Sequence, residues 1–223
     1  MLEKIKKILA AEENEKTFLA RIEKVYSPFS REFNMVRDAY IFARTAFSGI
    51  LRESGEPFFT HARAVAIILI DYLYIFERMD LRMGAHEVVV GALLHDVIED
   101  CPDRMTLKIV RKIYGSDVAW ILDYISKKPK SDIYTGEKEI LESYYRRFHV
   151  APQEFFLIKL ADRLHNQLTI FTCSEEKIRR KNWETIHIYL PWARKTGILA
   201  HELEATVMKV EDRIVWQKSK RVA

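Results

Sequence analysis

Long stretches of this 223-residue chain contain neither glycine nor proline, and this scarcity constrains its fold more than any other feature. Only 7 glycines and 6 prolines are present. Both residues interrupt helices, and no strand-like alternation of apolar and polar residues lies between them. Hydrophobic residues make up 48% of the sequence, which is enough for a large core. We therefore expect an all-α protein that folds as a single helical bundle.

Turn formers, helix caps and apolar spacing divide the chain into helices. They predict helices over residues 2–26, 32–52, 60–76, 137–148, 152–166, 175–189, 191–195 and 199–217, with two short helices that begin near Thr106 and Ser116. We expect residues 1–34 to form an N-terminal capping helix and residues 35–223 to form the main part of one structural domain.

An unusual stretch lies at the end of the apolar segment 88–94. This segment is followed by four ionisable side chains, which are His95, Asp96, Glu99 and Asp100. Pro102 then prevents continuation of the helix, so we predict that residues 95–100 form its last turns. Carboxylates at a helix C-terminus oppose the helix dipole, which favours cations there by roughly 0.3–1 kcal/mol per charge. A metal cation would compensate them, and a solvated acidic helix end is the alternative interpretation.

Two other helices carry polar residues in comparable places. The apolar helix over 152–166 contains Asp162 and Asn166, which lie one turn apart on the same face. His61 stands in the first turn of another helix, where a lone histidine is more often structural. Together, four side chains suggest one metal site: His61, His95, Asp96 and Asp162.

The ligand set predicted for this site lacks thiolates. It favours a harder ion such as Mn²⁺, with Fe, Mg²⁺ or Zn²⁺ as alternatives. Such an ion activates water and neutralises charge on a phosphoryl group, so we predict a hydrolytic enzyme.

Overall charge and cysteine content limit the choice of partners and compartment. The net charge of +4 and the pI near 8.9 favour an anionic ligand, but they do not indicate a nucleic-acid-binding face. No apolar run reaches the roughly 20 residues that span a bilayer. Cys101 and Cys173 have neither metal-site spacing nor a disulfide framework, and no signal peptide precedes them. We expect a cytoplasmic protein without a membrane or nucleic-acid partner, and the sequence does not determine its oligomeric state.

The order of the four candidate ligands resembles that of the HD phosphohydrolase superfamily. Flanking residues are similar to the hydrolase domain of RelA/SpoT enzymes, which degrade guanosine tetra- and pentaphosphate. The similar segments are 52–58 (RESGEPF), 95–100 (HDVIED) and 159–166 (KLADRLHN), within a resemblance that spans roughly residues 35–210. It implies a manganese-dependent 3′-pyrophosphohydrolase whose substrate is an anionic guanine nucleotide. Larger members of the family carry further domains after this one, so we expect a stand-alone enzyme unless the sequence is an excised domain.

The resemblance also implies roles for individual residues. The metal ligands would be His61, His95, Asp96 and Asp162. Glu99 and Asp100 would position or deprotonate the attacking water. The substrate-binding residues would be Arg52, which stacks on guanine, Ser54, which contacts the base, and Asn166 and Thr169, which hold ribose and phosphate.

This chain departs from the family pattern at two positions that affect charge. Glu53 stands where lysine is usual, and Leu168 stands where arginine is common, so we expect weaker binding of an anionic nucleotide. Lysines 127, 128 and 130 are a candidate source of replacement charge, although solvated surface is the more ordinary interpretation. One alternative function is an HD phosphohydrolase that acts on another nucleotide. A second is a non-catalytic module that binds a nucleotide or a partner, but Glu99 and Asp100 argue against it because a structural metal site needs no extra carboxylates.

Overall fold

The computed structural model describes residues 2–10, 14–71, 81–126 and 137–222. Within these ranges every regular element is helical, apart from one isolated backbone bridge between Leu51 and Pro57. The α-helices are α1 (Leu2–Ala10), α2 (Glu15–Ile22), α3 (Arg31–Ala46), α4 (Phe58–Asp71), α5 (Ala85–Leu94), α6 (Val97–Asp100), α7 (Leu107–Tyr114), α8 (Ser116–Ile125), α9 (Glu137–Arg146), α10 (Gln153–Thr169), α11 (Glu175–Glu184), α12 (Leu190–Thr196) and α13 (Ala200–Val222). The predicted all-α fold is confirmed. None of the helices in the described ranges is both long and apolar enough to cross a membrane.

Helix α10 lies at the centre of the bundle and positions much of the site. It packs against α4, α5, α8, α12 and α13, and almost all of its side chains from residue 154 to residue 165 are buried. A helix buried on all sides is normally apolar, yet α10 also buries several charged or titratable side chains. These are Glu154, Lys159, Asp162, Arg163 and His165.

Gly91 allows α5 to lie close to α10. A Cβ atom at this position would lie 2.9 Å from Cδ1 of Ile158 and 3.4 Å from Cγ2 of Ile121. The missing side chain therefore brings the helix that leads into His95 against the helix that carries Asp162.

The predicted continuous helix through residues 95–100 is wrong. Helix α5 ends at Leu94, and the short helix α6 begins at Val97. Nδ1 of His95 lies 2.7 Å from the carbonyl oxygen of Ala92, which in an uninterrupted helix would accept the N–H of Asp96. Asp96 adopts φ −103° and ψ −4°, outside ordinary helical geometry. This break lets two adjacent side chains face one site, whereas a regular helix separates neighbours by about 100°.

The N-terminal segment also differs from the prediction of one helix over residues 2–26. It forms α1 and α2, and Asn14 begins α2 with a capping box. The Asn14 side chain accepts the N–H of Thr17 at 3.1 Å, and the Thr17 hydroxyl accepts the N–H of Asn14 at 2.9 Å. Ile5, Phe18 and Ile22 nevertheless belong to the main hydrophobic core.

Helix α3 ends at Ala46 rather than near residue 52, before Gly49 adopts a φ of +80°. The end of the helix predicted over residues 60–76 lies outside the described residues, and so do lysines 127, 128 and 130. Thr106 and Ser174 accept backbone N–H groups as the N-caps of α7 and α11, and Gly197, in the left-handed conformation, ends α12.

Candidate functional site

Three separate segments bring the four predicted metal ligands together. Nε2 of His61, from α4, lies 3.3 Å from Oδ1 of Asp162 and 3.8 Å from Oδ2 of Asp96. Nε2 of His95 lies 3.0 Å from Oδ2 of Asp96 and 3.9 Å from Oδ1 of Asp162. Ligand atoms of His61, His95 and Asp162 all lie within 4.8 Å of one another, and Oδ2 of Asp96 lies beside the two imidazoles.

The environment of His95 fits a bound cation. Its Nδ1–H donates to the carbonyl of Ala92, so Nε2 is the ring atom left to hold either a second proton or a metal ion. This Nε2 is buried, makes no hydrogen bond and faces the oxygens of Asp96 and Asp162. Burial by itself lowers the pKa of His95, but the two carboxylates outweigh that effect and raise it to about 9. Several acceptors thus converge around a position where positive charge is favoured, as a divalent metal ion requires.

His165 lies behind His61 and fixes the orientation of its ring. The Nδ1 atoms of the two rings are 2.8 Å apart, so one donates a hydrogen bond to the other. Burial lowers the pKa of both rings, which favours their neutral forms. When His61 donates from Nδ1, its Nε2 lone pair faces the carboxylates, which is the arrangement common among metal-binding histidines.

Asp162 is held by two side chains of its own helix. Nζ of Lys159 lies 2.7 Å from its Oδ2, and the Asn166 amide donates to its Oδ1 at 2.6 Å. Burial raises the pKa of Asp162, but Lys159 and the two neighbouring histidines lower it well below its usual range. Asp162 is therefore an ionised carboxylate in a fixed orientation, as a metal ligand needs to be.

The predicted substrate-binding residues lie beside this cluster. Arg52 donates from Nη2 to Oδ1 of Asn166 at 3.0 Å and from Nη1 to the Thr169 hydroxyl at 3.2 Å. Ser54 follows in the same tight loop, where Gly55 has a φ of +84°. All four residues line a cavity of about 250 Å³ whose wall also includes Asp96 and Asp162. Two of the predicted metal ligands and all four predicted substrate-binding residues therefore line the same cleft.

Glu99 and Asp100 occupy a different environment. Both are exposed on α6, and neither is among the described residues that line the cleft. The N–H of Asp100 donates to the carbonyl of Asp96 at 2.9 Å, which fixes α6 relative to Asp96. Glu99 contributes to raising the pKa of buried Tyr144, although burial is the main cause of that shift.

Sequence reasoning missed several residues of the cleft wall, which are Lys159, Arg163, Lys177, Lys181 and Tyr189. Arg163 stacks 3.9 Å from the centre of the Tyr189 ring and donates to Glu184 at 3.1 Å. The signal available for Arg163 and Lys159 was their position within an otherwise apolar helix.

The two departures from the family pattern have different surroundings. Glu53 forms an ion pair with Lys177 of α11. Leu168 packs against the hydrophobic core, as an apolar residue at the edge of the bundle does.

Comparisons with known proteins agree with this geometry. A family model described as an HD domain matches residues 39–199. The bifunctional (p)ppGpp synthase/hydrolase SpoT of Escherichia coli K12 is 36% identical over 169 residues, which cover 75% of this chain and 22% of that protein. A guanosine-3′,5′-bis(diphosphate) 3′-pyrophosphohydrolase of Haemophilus influenzae is 39% identical over 166 residues, which cover 73% of this chain and 23% of that protein.

The chain thus spans less than a quarter of the length of these curated relatives. A solved structure of a metazoan ortholog of SpoT that hydrolyzes ppGpp has the same fold, with a TM-score of 0.61 and 20% identity. The match covers 78% of this chain and 94% of the solved one. Because the HD-domain model matches residues 39–199, which is most of this chain, the chain belongs to the HD domain family.

Proposed function

We propose that this protein is a metal-dependent phosphohydrolase that removes the 3′-pyrophosphate from guanosine tetra- and pentaphosphate, with Mn²⁺ as its ion. The observation that carries this proposal is the cleft lined both by two of the predicted ligands, Asp96 and Asp162, and by the Arg52, Asn166 and Thr169 group. The names of the two curated relatives support the same substrate. Both cysteines are free thiols, which supports the cytoplasm as the compartment of this protein.

The ligand cluster has the donors that a divalent ion needs. His61, His95, Asp96 and Asp162 would hold the ion, which would supply an activated water and neutralise charge on the phosphoryl group. Lys159 keeps Asp162 ionised. Asn166 donates to Asp162 and accepts from Arg52, so it connects this proposed ligand to Arg52. A nucleotide that contacts Arg52 and Asn166 is therefore positioned by side chains linked directly to the ligand cluster.

Product analysis tests the proposed reaction. Purified protein with Mn²⁺ is incubated with guanosine tetraphosphate, and we expect GDP and pyrophosphate in equal amounts. Turnover of an ordinary 5′-nucleotide without turnover of guanosine tetraphosphate would favour the alternative of an HD phosphohydrolase with another substrate. Release of orthophosphate from guanosine tetraphosphate would also contradict the proposed bond cleavage.

We propose that Glu99, with Asp100, orients or deprotonates the attacking water, because both residues lie on the short helix α6, which directly follows the predicted ligand Asp96. General acid–base assistance contributes about 10²–10⁴-fold, so Glu99→Gln should lower kcat by about that factor and leave metal content unchanged. Asp103→Asn is the matched control, because Asp103 is also exposed and follows α6 by three residues. Equal kcat values for Glu99→Gln and the parent would remove Glu99 from the mechanism.

A further inference from the structure

Two lysines of α11 line the cleft without any role in the function proposed above. Lys177 and Lys181 are four residues apart, so they project from the same face of the helix. Both line the cavity that also contains Arg52, Asp96 and Asp162. The cleft therefore has a second cationic wall, formed by α11, next to the loop of residues 52–56, which we call the Arg52 loop.

Contacts between α10 and α11 give the position of this wall along the cleft. Arg163 of α10 meets Glu184, and Nε2 of Gln167 lies 3.5 Å from the carbonyl of Lys181. The two helices therefore run in opposite directions, and Lys177 lies further from Asp162 than Lys181 does. Gln167 is five residues beyond Asp162, which corresponds to roughly 7.5 Å along the axis of α10. The lysines consequently lie beyond the ligand cluster, toward the Arg52 loop.

The cations near the ligand cluster are already neutralised by protein groups. Lys159 is bound to Asp162, and Arg163 is bound to Glu184. Lys181 lies 2.9 Å from that same Glu184, so two cations share one carboxylate. Burial and the charge of Arg163 lower the pKa of Lys181, as expected for a cation with too little negative charge around it. An added anion at this wall would supply the missing negative charge.

We propose that Lys177 and Lys181 bind the polyphosphate that is not cleaved, which is the 5′-diphosphate of the nucleotide. This inference rests on the proposed function, because it assumes that the 3′-diphosphate lies at the ligand cluster. Glu53 pairs with Lys177 across the cleft. The 5′-diphosphate replaces the Glu53 carboxylate as the partner of Lys177 when substrate binds.

Kinetics with substrates that differ only at the 5′ end test this subsite. Lys177→Gln and Lys181→Gln should each raise KM for guanosine 3′,5′-bisdiphosphate by roughly tenfold, the loss of one charge-assisted hydrogen bond, with kcat unchanged. The increase should disappear with guanosine 3′-diphosphate, which has no 5′-phosphate. Lys181→Arg keeps the charge and should keep the parent KM. Lys112→Gln, an exposed lysine of α7 outside the cleft, is the control.

A double-mutant cycle tests the role of Glu53. Glu53→Gln should lower KM for the bisdiphosphate severalfold, and it should have no effect when Lys177 is already glutamine. Equal effects of Glu53→Gln in both backgrounds would overturn the proposed exchange at Lys177. Equal KM values for parent, Lys177→Gln and Lys181→Gln would overturn the subsite, while normal turnover would leave the proposed function intact.

Binding of GDP separates the subsite from catalysis. In calorimetry, Lys181→Gln should weaken GDP binding about tenfold and leave guanosine binding unchanged, even if the parent turns over no guanosine tetraphosphate. Weaker GDP binding by Lys181→Gln, together with a parent that does not hydrolyse guanosine tetraphosphate, would support the subsite and contradict the proposed reaction. Unchanged GDP affinity in both lysine variants, with parent-like thermal unfolding, would overturn the subsite.

Discussion

The contact between His61 and His165 determines which nitrogen of His61 faces the carboxylates. Their Nδ1 atoms lie 2.8 Å apart, and both rings are buried. His165→Phe keeps a ring of similar size but removes the hydrogen-bond partner. Loss of such an orienting partner typically costs 10–100-fold in metal affinity, so we expect about that decrease, with kcat near the parent value at saturating Mn²⁺.

A titration with Mn²⁺ in a calorimeter measures this change in metal affinity. His201→Phe is the control, because the His201 side chain is 97% exposed. If His165→Phe bound Mn²⁺ as tightly as the parent, the orienting role of His165 would be excluded.

The residues that could be predicted from the sequence are those whose chemistry conflicts with their surroundings. Asp162 and His95 stand out because each belongs to or follows an apolar segment that should otherwise be a plain core helix. Lys181 gave no such signal. It belongs to α11, whose sequence EEKIRRKNWE is mostly charged and resembles a solvated surface. Only the tertiary fold, which places one face of α11 against the cleft, distinguishes Lys181 from an ordinary surface lysine.

Helix boundaries were predictable where one side chain or a glycine caps the start or the end of the helix locally. Thr106, Ser174 and Gly197 act through neighbouring backbone groups, and local sequence contains that information. The break at His95 and Asp96 depends instead on a contact of the His95 ring and on the shared site that both residues face. The apolar pattern alone therefore favoured an unbroken helix.

Close packing of α5 on α10 predicts the effect of enlarging Gly91. Gly91→Val would place a branched side chain where even a Cβ atom meets Ile158 at 2.9 Å. Overpacking of this kind costs about 1–3 kcal/mol, and movement of α5 would also lower metal affinity. Urea unfolding measures the first effect. Gly91→Ala is the comparison and should be destabilised less, because the end of the Ile158 side chain can move away from one methyl group. Equal stability of Gly91→Val and the parent would contradict the packing argument.

The ion pair that joins α10 to α11 should make stability depend on pH. Burial raises the pKa of Glu184, but Arg163 and Lys181 outweigh that effect and lower it below the ordinary value of 4.5. A lowered carboxyl pKa stabilises the fold above pH 4.5, and this contribution disappears as the pH falls through the lower pKa of the folded protein. Glu184→Gln should therefore destabilise the protein at pH 7, by about 3 kcal/mol because buried Arg163 loses its partner.

The difference in unfolding free energy between Glu184→Gln and the parent should shrink as the solution is acidified below pH 4.5. Chemical denaturation at a series of pH values measures it. Glu176→Gln, an exposed change on the same helix, should show little effect at any pH. A difference that stays constant down to pH 3 would mean that ionisation of Glu184 does not stabilise the fold.

The proposed ligands connect parts of the molecule that are far apart in sequence. His61 belongs to α4, His95 and Asp96 to the turn between α5 and α6, and Asp162 to α10. One ion would therefore link three segments of a single bundle, and unfolding would release it. A ligand that binds only the folded state adds about 2.7 kcal/mol of stability at a concentration of 100 times its Kd.

Mn²⁺ should consequently raise the unfolding free energy of the parent and have little effect on Asp96→Ala. Removing Asp96 leaves two imidazoles and one carboxylate, which hold the ion weakly because the remaining oxygen donor, Asp162, is already bound by Lys159 and Asn166. Thermal unfolding with and without Mn²⁺ measures the gain, and Asp103→Asn, which changes an exposed acid, should keep all of it. If Asp96→Ala gained as much stability from Mn²⁺ as the parent, the ion would be binding elsewhere, and the four side chains would not form the metal site.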